Sequence, residues 1–141
     1  MTADTSHILL KRYSVQPTAH RLAILSVFRD ATAPLDGQTV YEILLRQGAG
    51  IDRATVFRTL KTFERAGLVQ PLEFNEGKVR FELNRGMHHH HLVCTECGSI
   101  QCLKQCELDG MVESIKRETG FSASFHRLDF FGTCAKCRKE E

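Results

Sequence analysis

Residues 88–97 read His-His-His-His-Leu-Val-Cys-Thr-Glu-Cys, which puts six imidazole or thiol groups into ten positions. Those donors favour zinc and its neighbours among the transition metals, so the stretch is first a candidate for metal coordination. An affinity tag is the bland alternative, but tags sit at a terminus and this run is internal. A solvated polar loop is another, and Leu92-Val93 followed by Cys-x-x-Cys argues against it. If the run is a β-strand, side chains alternate between faces, so His88 and His90 point one way and His89 and His91 the other. One short run can then feed two metal sites, with Cys94 and Cys97 feeding a third.

The pair Cys94-x-x-Cys97 is matched by Cys134-x-x-Cys137 near the other end of the same half. Two such knuckles across a compact stretch predict tetrahedral Zn2+ held by four thiolates. Two unrelated pairs, or a redox disulfide, are the weaker readings. Four protein ligands leave no position for water, so this metal is structural, and closing the unit start to end can supply much of its folding energy.

The elements that must position these groups follow from periodicity and turn chemistry. Ser6–Tyr13 predicts a short helix, and Pro17-Thr18 opens a second with Leu22, Leu25 and Phe28 at helical spacing. Asp36 can cap the next, which Gly48 and Gly50 end. Asp52 can cap another from Arg53 to Ala66, with Gly67 as its left-handed stop. Val56, Leu60 and Phe63 form that last helix's packing stripe, while Arg58, Lys61 and Arg65 form a separate basic one with Phe57 beside it. A charged stripe is usually only a solvated face. Here it ends a three-helix run followed by a hairpin (68–74, turn 75–77, then 78–83), which is the winged helix-turn-helix plan. Beyond the histidines, a strand over 99–103, a helix over 107–119 stopped by Gly120 and a strand over 122–131 are expected. A unit this small with open strand edges is a natural dimerisation domain.

The expected fold class is therefore α+β: an N-terminal winged helix-turn-helix domain (1–84) and a small α/β dimerisation domain (85–141). Charge divides the same way. Residues 1–87 carry 12 Lys/Arg against 9 Asp/Glu, net +3, and residues 88–141 carry 7 against 8, net −1. All six cysteines and five of the seven histidines lie in the second part. No run is long or apolar enough to span a bilayer and no signal pattern opens the chain. A cytoplasmic protein with no membrane partner is expected, where paired cysteines more often hold metal than form disulfides.

Over nearly its whole length the chain resembles the ferric uptake regulator family of metal-dependent bacterial transcriptional repressors. The matching stretches are 21–25 (Arg-Leu-Ala-Ile-Leu), 54–60 (Ala-Thr-Val-Phe-Arg-Thr-Leu), 67–69 (Gly-Leu-Val), 77–83 (Gly-Lys-Val-Arg-Phe-Glu-Leu), 88–98 and 130–134 (Phe-Phe-Gly-Thr-Cys). The resemblance implies homodimers that bind palindromic double-stranded DNA operators when a regulatory metal is loaded, and no small-molecule substrate. By position Cys94, Cys97, Cys134 and Cys137 match the structural zinc ligands. His88, His90, Asp109 and His126 match a site within the dimerisation domain. Glu82, His89 and His91 match ligands of a site between the domains, and Cys102 stands where that site often has an acid. Arg12, Arg53, Thr55, Phe57, Arg58, Lys61, Arg65 and Lys78 are the expected DNA contacts.

Four departures bear on the sensed metal and the DNA contact. His90 replaces the usual aspartate, Pro34 stands where iron and peroxide sensors place a histidine, and Cys102 adds a thiolate to Glu82, His89 and His91. The imidazole at His90 moves its own site toward Zn2+ or another imidazole-preferring metal. The thiolate of Cys102 makes the set with Glu82, His89 and His91 suit tetrahedral Zn2+, and together the departures slightly favour Zn2+ as the sensed metal. Phe57 replaces the usual recognition-helix tyrosine. The Phe-Glu-Leu stretch around Glu82 looks instead like iron-type members, so regulatory Fe2+, with Mn2+ as a further candidate, stays open beside Zn2+. Cys102 reads as core filler, ligand or redox thiol, with ligand preferred, and Cys106 is taken as non-ligating. A zinc enzyme is the rival class, but hydrolytic zinc needs an open position and a general base, and these ligand sets close their tetrahedra. Metal storage is a third class, disfavoured by the basic helix and wing.

Overall fold

The structure, a computed structural model, describes residues 3–139. It divides into two units at Arg85/Gly86, each with its own three-stranded sheet.

The first unit is built from α1 (Ala3–Arg12), α2 (Ala19–Asp30), β1 (Leu35–Asp36), α3 (Gly37–Arg46), α4 (Arg53–Arg65), β2 (Val69–Glu73) and β3 (Val79–Leu83). Three helices begin on side-chain caps that satisfy an otherwise orphaned N–H: Thr18 accepts from Arg21 N, Asp36 from Thr39 N and Asp52 from Thr55 N. After α4, Gly67 adopts φ 78°, the left-handed stop that a Cβ would strain. The buried stripe of α4 is Val56, Thr59, Leu60 and Phe63, and it packs with Leu10, Ile24, Leu25, Val40, Leu44 and Leu68 into one apolar core.

Two details here were not foreseen. The helix expected from Ser6 starts at Ala3. Leu35 and Asp36, taken only as connection and cap, also form a short strand against Phe81 and Arg80 of β3, so the hairpin becomes a sheet of order β1-β3-β2. Its β2–β3 register pairs Gln70 with Glu82 and Val69 with Leu83.

The second unit comprises β4 (His90–Cys94), β5 (Ile100–Leu103), α5 (Asp109–Thr119) and β6 (Asp129–Gly132). β4 is central, antiparallel to β5 and parallel to β6. The expected last strand over 122–131 is a correction: only Asp129–Gly132 is strand, because β4 offers ladder partners only from His91 to Cys94. Before that point the chain carries His126 into a cluster of side chains rather than along a ladder. Helix α5 starts at Asp109, not Glu107, and no side chain caps its N-terminus, while Gly120 at φ 75° ends it. No residue of α5 is buried.

Candidate metal centres

Strand alternation does what the four histidines require. His88 and His90 have ring centroids 4.7 Å apart, and His89 and His91 lie 4.8 Å apart, so each pair shares a face. Among the described residues of the second unit, three sets of donors result.

The first is Cys94, Cys97, Cys134 and Cys137, whose sulfurs all lie within 4.8 Å of one another. The parallel β4–β6 register sets Cys94 beside Gly132, and Thr95 N donates to Gly132 O at 2.8 Å, which brings the two knuckles level. Cys97 Sγ and Cys134 Sγ stand 3.7 Å apart, far beyond disulfide length. A tetrahedron with Zn–S of about 2.3 Å has edges of about 3.8 Å, so the donors fit zinc. Backbone N–H groups of Cys97 and then Cys134 point at Cys94 Sγ and draw that thiol down to about 6. Cys134 is also lowered, first by the backbone N–H of Cys137. Cys137 is driven the other way, to about 12, by the side chains of Cys134 and Cys97 beside it. Four sulfurs this close cannot all ionise alone, and a divalent cation removes that conflict.

The second set is His89, His91 and Cys102, whose donor atoms lie within 4.8 Å of one another. His91 sits directly across β4–β5 from Cys102 and across β4–β6 from Asp129. His91 Nδ1 lies 3.5 Å from Asp129 Oδ1, and His89 Nδ1 donates to Met87 O at 3.1 Å. The Met87 carbonyl accepts the Nδ1 proton of His89 in that hydrogen bond and leaves its Nε2 able to ligate, and Asp129 stands beside His91 as a carboxylate backing of the kind common behind histidine ligands. Glu82 belongs to the first unit, half-buried on β3, where Oε1 accepts from Gln70 Nε2 at 2.7 Å.

The third set is His88, His90, His126 and Cys106, again within 4.8 Å. His88 Nε2 and His126 Nε2 are 2.9 Å apart, and Cys106 Sγ lies 3.4 Å from His126 Nε2. His90 is 3% exposed, and its Nε2 has no hydrogen-bond partner. Burial, then the neighbouring His88 and His126, hold His90 toward the neutral form that binds metal. A buried nitrogen without a partner costs free energy unless something accepts its lone pair, and a cation at the cluster centre would. The sequence match put Asp109 in this set. Asp109 opens α5, exposed and outside the grouped donors, and the fourth donor grouped with the three histidines is Cys106. The cause is local: α5 begins only at Asp109, so Lys104–Leu108 forms a loop that turns Cys106 toward His126.

Sequence reasoning missed Cys106 and Asp129 as site residues. Cys106 follows Cys102 by four residues, which matches no ligand-spacing rule, and Asp129 stands in no motif. The place of Asp129 is not visible until the β4–β6 register is known, and that of Cys106 until the loop over 104–108 is.

The basic positions of the first unit lie on its surface. Arg53, Phe57, Arg58, Lys61 and Arg65 of α4 are exposed, with Thr55 half-buried among them. The Arg53 guanidinium stacks 4.6 Å over the Phe57 ring and donates to Gln38 Oε1 at 2.7 Å, while Arg58 Nη2 donates to Thr55 Oγ1 at 3.2 Å. A Cβ at Gly37 would meet Phe57 ring carbons at 2.8 Å, so the glycine makes room for that ring. Thr55 and Arg58 also line one groove with His20 and Arg21 of α2. Arg12 ends α1 exposed, and Lys78 Nζ lies 3.6 Å from Asp36 Oδ1 while its side chain stays 45% exposed. No helix among the described residues is long and apolar enough to cross a membrane.

Comparison with known proteins gives consistent matches. The family model for the ferric uptake regulator family matches residues 12–131. The ferric uptake regulation protein of Cupriavidus metallidurans is 41% identical over 128 residues, 90% of each chain. The crystal structure of the Vibrio cholerae ferric uptake regulator superposes with a TM-score of 0.80 at 31% identity, covering 91% of this chain and 98% of that one. A structure of a zinc-bound manganese uptake regulator superposes with a TM-score of 0.78 at 30% identity, covering 92% and 98%.

Proposed function

Because the chain belongs to the ferric uptake regulator family, and is thus a metal-dependent transcriptional regulator and not an enzyme, we propose that it grips double-stranded operator DNA as a homodimer when a regulatory metal is bound. The observation that carries this reading is the exposed basic face of α4, held out from a helix whose opposite face is locked into the core. In a winged helix-turn-helix that helix enters the major groove. Arg58, Lys61 and Arg65 then meet phosphates, which gives affinity and salt dependence, while Arg53 and Thr55 approach base edges and Phe57 a thymine methyl. Arg12 and Lys78 add backbone contacts at the margins. Dimerisation is supported by the second unit's exposed apolar residues, among them Met111, Phe121 and Phe125, the last 81% exposed. A two-fold dimer reads a palindrome with its recognition helices about 34–36 Å apart.

The four-cysteine set takes structural Zn2+. The sensed metal is held by His89, His91 and Cys102, with Glu82 as the remaining ligand matched from the family. When bound, that metal supplies a cross-link that favours the DNA-binding arrangement over others. One thiolate, two imidazoles and one carboxylate suit four-coordinate Zn2+ better than the five or six oxygen-rich ligands of Fe2+ or Mn2+, so we take zinc as the signal and metal-uptake or homeostasis genes as the targets. A ferrous signal is the second reading, favoured by the name of the Cupriavidus metallidurans relative.

The test is operator binding titrated with buffered Zn2+, Fe2+ and Mn2+ at fixed salt. Binding switched on by Zn2+ at the lowest free concentration is expected. A response to Fe2+ or Mn2+ alone overturns the zinc assignment, and metal-independent binding overturns the switch itself.

A further inference from the structure

We propose that Cys106 is the fourth ligand of the His88/His90/His126 cluster, making it a third thiolate-bearing tetrahedral site, selective for zinc. This deepens the reading of the protein as a metal-responsive regulator and rests on it.

The argument starts from an unsatisfied atom. His90 is buried and its Nε2 has no partner, although it stands among the rings of His88 and His126. Hydrogen bonding within the cluster does not solve this. His88 Nε2 and His126 Nε2 face each other at 2.9 Å, so at most one of them carries the proton between them, and His90 Nε2 still has nothing to pair with. A cation common to the three nitrogens satisfies all of them.

The fourth donor is then decided by position. Cys106 Sγ is 3.4 Å from His126 Nε2, close to the edge of about 3.6 Å expected between one N and one S ligand on tetrahedral zinc. Asp109, the residue that sequence alignment alone selects, is in the first turn of α5 and exposed. Two short segments thus serve both faces of the strand. Positions 88 and 90 pair with Cys106, and positions 89 and 91 pair with Cys102.

Replacing a carboxylate by a thiolate changes what the site accepts. Three imidazoles and one sulfur form a borderline-to-soft set of four, which favours Zn2+ (or Co2+ as its spectroscopic substitute) over Mn2+ and Fe2+. Binding converts the Cys106 thiol to a metal thiolate, its proton passing to solvent, and each imidazole ligates through an unprotonated nitrogen.

The test uses the full chain with its structural zinc in place and Cys102→Ser, so that Cys106 is the remaining thiol outside the four-cysteine set. Co2+ is added while a chromogenic chelator confirms that structural zinc stays bound. A near-ultraviolet thiolate-to-cobalt band is expected. Adding Cys106→Ser should abolish it and weaken Co2+ binding by about tenfold or more, whereas adding Asp109→Asn should leave band and affinity within about twofold. A Cys102→Ser protein that takes up Co2+ without a sulfur band, a band that survives Cys106→Ser, or binding lost with Asp109→Asn each overturns the proposal. Because substitution can disturb folding, the unsubstituted protein gives an independent measure. Zn2+ beyond the structural equivalent should slow alkylation of Cys106 by about tenfold, read by peptide mass spectrometry, and unchanged alkylation overturns the proposal. Neither readout involves DNA, so failure of the regulatory reading would appear in the operator titration while these spectra persisted.

Discussion

The two units of this chain are held together by different means. The first places its apolar side chains in one cluster, with Leu10, Ile24, Leu25, Val40, Leu44, Val56 and Phe63 all inaccessible or nearly so. In the second, the buried apolar residues among those described are Val93, Cys94 and Ile100, and the most hidden polar groups are the imidazoles of His90 and His91. Helix α5 buries nothing, while Met111, Ile115, Phe121, Phe125, Phe130 and Phe131 stay open. One unit is stabilised by burial of apolar area, and the other, on the function proposed above, by ligation and by a partner surface. A small domain without a sufficient core needs such staples.

The sharpest way to break that contrast is Cys97→Ser. The side chain is exposed, so serine fits and only ligation is lost. Structural zinc contributes on the order of 10–16 kcal/mol in small zinc domains, more than any single core contact. The expected outcome is loss of one zinc per chain and collapse of hydrogen-exchange protection in β4, β5 and β6, with the amides of α2, α3 and α4 still protected. Protected β4 amides in zinc-free protein would show that the second unit has a sufficient core after all.

The converse substitution is Phe63→Ala. Phe63 has no exposed surface and lies at the centre of the first unit's core, so the cavity should cost about 3–5 kcal/mol. The loss should appear in denaturant unfolding of the first unit, with zinc content per chain unchanged. A drop in zinc stoichiometry would mean that the two means of stabilisation are not separable.

This division also explains what could be read from the sequence. The caps Thr18, Asp36 and Asp52, the stripe Val56-Leu60-Phe63 and the stop at Gly67 are local signals, and each element they predict is present. The alternation of the four histidines is local as well, and the ring pairs follow it. What could not be read depends on register or on a loop. The pairing of Leu35 with Phe81 joins residues far apart in the chain, and nothing in a two-residue stretch announces a strand. The last strand reads as longer because residues 125–131 alternate, yet β4 gives it no partner before Asp129. Asp109 matches the family by position alone, and the nearness of Cys106 to His126 shows only once the loop over 104–108 is placed ahead of α5.

The smallest expected effect comes from Asp36→Ala, and it tests whether the first unit has any weak electrostatic dependence of its own. Asp36 caps α3: its carboxylate accepts from Thr39 N at 3.4 Å and from Thr39 Oγ1 at 2.5 Å, and Lys78 Nζ lies 3.6 Å away. Burial pushes its carboxyl upward, but the Thr39 hydroxyl, Lys78 and the Thr39 backbone N–H together outweigh that and hold it below the ordinary value. A carboxyl lowered on folding stabilises the protein above its unfolded value and loses that contribution as pH falls through the folded one. The substitution should therefore cost about 1 kcal/mol near neutrality, the usual worth of a cap. The difference from the unsubstituted protein should shrink below roughly pH 4, where free aspartate protonates. The metal-held unit should fail at higher pH, because protons compete with metal for thiolates and imidazoles. Two acid transitions are then expected by hydrogen exchange, β4–β6 first and the helices α2–α4 later, with Asp36→Ala moving only the later one. If the substitution shifted the earlier transition instead, stability in the two units would be coupled and the contrast between core and ligation would not describe this chain.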